Sequence, residues 1–103
     1  MLEKCKLALR ISTDVFDDEL LDLIAAGIAD IKHAGPRFES SYTAATQTTH
    51  ADYTINDELI SRAVITYVRM MFGSPADYDR LKASYDEQKG QLRESSDYGM
   101  EAL

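Results

Sequence analysis

The chain has 103 residues, enough for one domain with a real hydrophobic core but with little surplus for a second domain. Its 45% hydrophobic content, two prolines and five glycines are typical of a folded protein rather than a disordered or fibrous one. The net charge of -7 argues against a conventional nucleic-acid-binding domain, because such domains display a concentrated basic face. An acidic wall past which DNA slides without adhering is still compatible with this charge.

The first ten residues predict a short helix, with Leu2, Cys5, Ala8 and Leu9 on its inner side and Glu3, Lys4, Lys6 and Arg10 on its outer side. Cys5 is the only cysteine, which excludes an intrachain disulfide and a cysteine-based zinc cluster and favours a core position. This start lacks the apolar centre of a signal peptide, and the longest uncharged apolar run, Leu23 to Ala29, is too short to span a bilayer. We therefore expect a soluble, intracellular protein without membrane contact.

A second helix is predicted from near Asp14 to the break at Gly35 and Pro36. Ser12, Thr13 and Asp14 form a helix-start signal, and acids follow in the first turn, where the helix dipole favours them. The residues with helical apolar spacing are Phe16, Leu20, Leu23, Ile24, Ile28 and Ile31.

Residues 37–54 lose this periodicity and are rich in Ser, Thr and Ala, which predicts a long loop. The content of Tyr, Thr and Ile also permits a short β hairpin as the alternative. Tyr42 and Tyr53 in this segment, like Tyr98 near the end of the chain, are candidate partner contacts.

The third helix, Asn56 to Phe72, is predicted to be the centre of the core, because its apolar residues recur at i, i+3, i+4, i+7 and i+8. Its predicted cap is Asn56, and Gly73 is predicted to stop it. The wide apolar stripe consists of Leu59, Ile60, Ala63, Val64, Tyr67, Val68, Met71 and Phe72.

A fourth helix is predicted to restart at Ser74 as N-cap and Pro75 as first helical residue. Residues 95–103 lose periodicity and are expected to form a flexible tail after a single domain at residues 1–94. The predicted fold class is thus all-α, a small bundle of about four helices with a long loop or short hairpin between the second and third.

No arrangement in the sequence points to catalysis or to a cofactor. Asp18 and Asp22 are four residues apart and could share a cation, but the loop pattern of an EF-hand is absent. Acidic residues at this position are explained either by their favourable interaction with the helix dipole or by an acidic interaction face. His33 and His50 lack metal-ligand spacing and are predicted to be solvated, and neither pairs in sequence with a nucleophile. We expect a protein without enzyme activity, bound cofactor or metal.

The order of these segments resembles the small head-tail connector proteins of tailed bacteriophages, often described as DNA-packaging proteins. The similar segments are LALRI (Leu7 to Ile11), DVFDDELLDLIAAGIADI (Asp14 to Ile31), NDELISRAVITYVRMMFG (Asn56 to Gly73) and GQLRESSDYG (Gly90 to Gly99). The resemblance covers nearly the whole chain outside the loop and the last few residues.

This resemblance implies a helical subunit of the virion, made in the host bacterial cytoplasm, that assembles into a ring of the dodecameric type beneath the portal protein. Such a ring extends the DNA channel, lets the genome pass without specific binding and receives the next head-completion or tail protein. An acidic lumen would reduce adhesion of the passing DNA.

The candidate interaction residues form two groups. Asp14, Asp17, Asp18 and Asp22 begin the second helix, and their acidic face could pair with the basic first helix either between subunits or within one subunit. The C-terminal candidates for docking on the portal are Tyr85, Leu92, Arg93 and Tyr98.

Two alternatives compete with the adaptor function. The first is a small acidic regulator that binds a host or phage protein, including as a DNA mimic. The second is an accessory subunit of an enzyme or a metal-dependent hydrolase. Portal-dependent assembly would separate the adaptor from the regulator, and a stoichiometric metal site would favour the hydrolase.

Overall fold

The computed structural model describes residues 1–94, which contain four helices and one two-stranded antiparallel sheet. In chain order the elements are α1 (Leu2–Leu9), α2 (Asp17–Ala34), β1 (Ser40–Thr43), β2 (Asp52–Ile55), α3 (Glu58–Met71) and α4 (Tyr78–Glu94). The four predicted helices are confirmed. The all-α class needs a correction, because residues 40–55 form the β hairpin that the sequence offered as the alternative. The predicted tail, residues 95–103, lies outside the described residues.

Helix α3 lies at the centre of the core and packs against α1, α2 and α4. Ile60, Ala63, Val64 and Val68 are completely buried, as the apolar stripe predicts. Leu59 and Met71 were predicted to join this stripe, but both are exposed, because they lie at the margin of the buried face near the two helix ends. The cap is Asp57 rather than Asn56: its carboxylate accepts a hydrogen bond from the Ile60 N–H at 3.0 Å.

Helix α2 begins three residues later than predicted. Its N-cap is Phe16, without a side-chain cap, and the Asp14 carbonyl accepts a hydrogen bond from the Asp17 N–H at 3.2 Å. The Asp14 carboxylate is bonded to Lys6 instead, so it does not cap the helix. At the other end, Gly35 terminates α2 with a φ of 125°, as its sequence position predicts.

Helices α2 and α3 approach each other closely at Gly27. A Cβ atom at this position would lie 3.0 Å from Tyr67 Cδ1, so a larger residue would displace the tyrosine ring or separate the helices. The buried core residues of the subunit are Leu2, Cys5, Leu20, Ile24, Ile28, Ile31, Ile60, Ala63, Val64, Val68, Met70, Leu81, Tyr85 and Leu92.

The hairpin pairs Tyr42 with Tyr53, and the two rings lie 5.0 Å apart. Asp52 joins the hairpin to α1, because its Oδ1 accepts a hydrogen bond from the Leu2 N–H at 2.9 Å. That N–H belongs to the first turn of α1 and has no partner within the helix, so Asp52 acts as a cap supplied from a distant strand. The contact fixes the orientation of β2 relative to the helices.

Helix α4 begins at Tyr78 rather than at Ser74 and Pro75. The segment between the helices forms a turn, in which the Tyr78 N–H donates to the Pro75 carbonyl at 3.3 Å and Gly73 adopts a φ of 66°. The α helix starts only where the Leu81 N–H reaches the Asp77 carbonyl at 3.0 Å. None of the helices in residues 1–94 is long and apolar enough to cross a membrane.

The buried Cys5 thiol predicts a loss of stability in alkali. Burial raises the pKa of Cys5 from 9.0 to about 11, so the unfolded chain ionises first as the pH rises. The contribution of this thiol to stability is therefore complete below pH 9 and is lost between pH 9 and about pH 11. The loss amounts to at most ~1.4 kcal/mol per pH unit.

Urea unfolding at several pH values in this window will measure that slope. We expect the Cys5→Ala variant to lose less stability per pH unit than the parent chain, although its stability at pH 7 is lower because of the cavity. Equal slopes for the two proteins would show that ionisation of the thiol is not coupled to unfolding.

Candidate functional site

A cleft of about 250 Å³ lies between the start of α2 and the hairpin, and it is lined by Asp18, Leu21, Asp22, Tyr42, Ala51 and Tyr53. We call it the acidic tyrosine cleft. Helix α2 supplies the first three residues, whose spacing of three and four places them on one helix face. The hairpin supplies the two tyrosines, because its register sets Tyr42 directly opposite Tyr53.

The chemistry of the cleft suits a basic side chain. Asp18 and Asp22 are exposed, and among the described residues neither makes an ion pair with a lysine or arginine. Tyr42 is 57% exposed, so its ring face is accessible beside the two carboxylates. Carboxylates and aromatic faces together bind guanidinium and ammonium groups through ion pairs and cation–π contacts.

The described part of the chain contains no group of three or more His, Cys, Asp or Glu residues that could hold a metal ion. Asp18 and Asp22 thus bring a pair of carboxylates to the cleft without a third ligand of these types. His33 and His50 are both exposed, as predicted, and His50 Nδ1 lies 3.0 Å from the Ala51 carbonyl oxygen.

Asp14 and Asp17, the other two predicted acids, are bound within the subunit. Lys6 Nζ lies 2.8 Å from Asp14 Oδ1 and 3.0 Å from Asp17 Oδ1. The hydrogen bond to Asp14, followed by that to Asp17, raises the pKa of Lys6, and the same bond from Lys6 lowers the pKa of Asp14. Asp14 and Asp17 therefore pair with the basic first helix of their own subunit.

Lys6 was predicted to lie on the outer side of α1, and that prediction is wrong. The residue is only 6% exposed, because its stem packs beside the core while its ammonium group reaches the two carboxylates. Its position four residues after Leu2, on the same helix face, is the sequence signal that could have indicated this. The contact anchors the start of α2 and thereby positions Asp18.

Two of the C-terminal docking candidates lie inside the subunit. Tyr85 and Leu92 are buried within the subunit, with 2% and 4% exposure, because the inner face of α4 covers α2 and α3. Arg93 is exposed, as a docking residue requires. Tyr98 lies outside the described residues.

Tyr85 joins α4 to α2 through a polar contact. Its hydroxyl donates a hydrogen bond to Asp30 Oδ2 at 2.6 Å, and Lys89 Nζ donates to the same oxygen at 3.1 Å. Burial alone would raise the pKa of Asp30, but these two hydrogen bonds outweigh it and hold that pKa below its usual range. Burial, followed by the bond to Asp30, raises the pKa of Tyr85.

A second, more apolar cleft of about 350 Å³ lies at the turn between α3 and α4, where it is lined by Met70, Met71, Gly73, Ser74, Pro75 and Tyr78. The neighbouring Phe72 ring contacts Phe16 edge to face, with centroids 5.4 Å apart. The turn therefore joins the end of α3 to the start of α2 through aromatic packing.

The fold and these surfaces define a small, mostly helical protein whose accessible features are suited to contacts with other proteins. The chain belongs to the phage connector protein family, whose family model matches residues 1–99. It is a head-tail connector of a bacteriophage and a component of the virion, where it associates with portal or tail proteins. The comparisons with curated proteins and with solved structures gave no match.

Proposed function

We propose that the protein is a structural adaptor that forms a closed ring beneath the portal, extends the DNA channel and receives the next head-completion or tail protein. The match to the phage connector family over residues 1–99 carries this proposal. We assign the adaptor no catalytic step, so its contribution is assembly and passage of the genome.

The charge of the subunit supports a role beside DNA. The chain carries a net charge of -7, and several of its carboxylates, including Asp18 and Asp22, are exposed without an ion pair among the described residues. Repeating such a subunit around a ring adds the fields of all copies, which disfavours adhesion of phosphate groups to the lumen. The genome then passes without a specific binding step.

Ring closure also requires that two different faces of one subunit meet, because head-to-tail contacts close into rings. The described residues offer two distinct exposed features. One is the acidic tyrosine cleft, which is formed by α2 and the hairpin, and the other is the group of exposed apolar residues on α1 and α3. A subunit with separate faces can form a ring without a symmetric dimer.

Light scattering on the purified protein, alone and with the portal protein of the same phage, tests this function. We expect a ring-sized assembly or a stable portal complex, whereas a small acidic regulator would stay monomeric or dimeric and ignore the portal. Electron microscopy of particles that lack the protein provides an independent readout, for which filled heads without tails are expected. Normal tailed particles would contradict the adaptor function.

A further inference from the structure

We propose that the acidic tyrosine cleft of one subunit receives an apolar and basic surface on α1 and α3 of the next subunit. We define this second surface, the α1/α3 face, by Leu7, Leu59 and Arg62. The inference rests on the proposed ring, and it adds the partner of the cleft: a second copy of this chain, bound through Arg62.

The α1/α3 face combines large exposed apolar side chains with a free cation. Leu7 is 77% exposed and Leu59 is 55% exposed, so both present apolar surface to solvent. Arg62 follows Leu59 by three residues on α3, so both side chains lie on one side of the helix. Arg62 is exposed, and no ion pair engages it among the residues that the structure describes.

An ion pair brings α1 beside the start of α3. Lys4 Nζ lies 3.5 Å from Glu58 Oε2, and Leu7 is three residues after Lys4 on the same side of α1. Glu58, the acid next to Leu59, is thus paired within the subunit, and Arg62 is the exposed cation one helical turn after Leu59.

The acidic tyrosine cleft is the chemical complement of this face. It presents two exposed carboxylates, Asp18 and Asp22, where the α1/α3 face presents a guanidinium group. It also presents the exposed ring of Tyr42 and the side chain of Leu21, against which a leucine can pack. A guanidinium group between carboxylates and an aromatic ring gains both charge-assisted hydrogen bonds and a cation–π contact.

The two surfaces belong to different elements of the subunit, and we place them in a head-to-tail contact rather than in the reciprocal pairing of a symmetric dimer. Each copy would offer its cleft to one neighbour and its α1/α3 face to the other, which is the arrangement that closes into a ring. The leucines contribute buried apolar area to the contact, and the charge pair selects the correct register between the subunits.

A charge exchange tests the pairing. Asp22→Arg and Arg62→Asp each place like charges in the contact, and we expect each to raise the protein concentration needed for assembly by roughly tenfold or more. The combined variant restores opposite charges and is expected to assemble nearly as well as the parent. Glu87→Arg is the control, because it makes the same charge change at an exposed position on α4. Circular dichroism checks that every variant is folded.

Cysteine cross-linking adds a geometric readout. A chain that carries both Asp22→Cys and Arg62→Cys is expected to form a ladder of disulfide-linked oligomers under mild oxidation, because a head-to-tail contact continues from subunit to subunit. Each single cysteine variant is expected to give no ladder. The parent chain is the control: its single cysteine, Cys5, is buried, so it is expected to form no disulfide-linked oligomers.

The outcomes separate the pairing from the ring itself. If the parent forms a ring and the two charge variants assemble equally well, the ring stands and the proposed pairing is wrong. Failure of the combined variant to recover, or loss of binding to portal alone while self-assembly persists, would assign the cleft to another partner and also overturn the pairing. A parent that forms no ring, alone or on the portal, would overturn both proposals.

Discussion

Val64→Asp is expected to unfold the subunit. Val64 is completely buried on α3 and belongs to the cluster of apolar core residues. Burying an unpaired charge belongs to the substitutions that cost more than ~4 kcal/mol. A domain of this size has a total stability of only ~5–15 kcal/mol, so most of the population is expected to lose its native structure.

Circular dichroism and urea unfolding measure this effect, and Ala83→Asp is the matched control. It introduces the same carboxylate in a helix, but at an exposed position on α4 outside the proposed subunit contact, so we expect a folded protein with a nearly unchanged urea midpoint. A cooperative unfolding transition for Val64→Asp close to that of the parent would show that α3 is not the centre of the core.

The core of this fold could be predicted because its signal is local. Ile60, Val64 and Val68 recur at helical spacing, and Gly35 and Gly73 mark the ends of α2 and α3 without reference to the rest of the chain. Helix starts were less predictable, because they depend on tertiary partners. The Asp14 carboxylate, for example, binds Lys6 of α1 instead of capping α2, which begins at Asp17.

The acidic tyrosine cleft could be predicted only in part. The sequence indicated that Asp18 and Asp22 lie at the surface, since acids at a helix start face solvent. It could not show that Tyr42 and Tyr53 complete a cleft with them, because that depends on hairpin register and on the docking of the hairpin by Asp52. Such long-range contacts leave no periodic signal in the sequence.

The division between scaffold and contact surface follows from these positions. The buried side of α3 holds the other helices together, while its exposed side carries Leu59 and Arg62. The exposed side of α2 carries Asp18 and Asp22 beside the hairpin. A substitution on the exposed sides should therefore change assembly with little effect on folding, and a substitution on the buried sides should do the reverse.

Tyr85→Ala tests that division at a residue whose sequence position suggested portal docking. Its ring is 2% exposed, lies 5.5 Å from the ring of Tyr67 and is covered by the Lys89 ammonium group at 4.6 Å. Removing the ring leaves a cavity and takes one donor from Asp30. We expect a loss of ~3–5 kcal/mol in the free energy of unfolding, as for other buried aromatic residues replaced by alanine.

Tyr85→Phe and Arg93→Ala separate the causes of that loss. The phenylalanine keeps the ring and removes only the hydroxyl that donates to the Asp30 carboxylate, so a smaller loss of ~1.5–3 kcal/mol is expected. Arg93→Ala changes an exposed residue of the same helix and should leave the urea midpoint unchanged. If Tyr85→Ala unfolds like the parent and loses only portal binding, Tyr85 is a docking residue after all. If its stability falls while Arg93→Ala stays as stable as the parent, the inner face of α4 is scaffold, and docking by this helix must use its outer face.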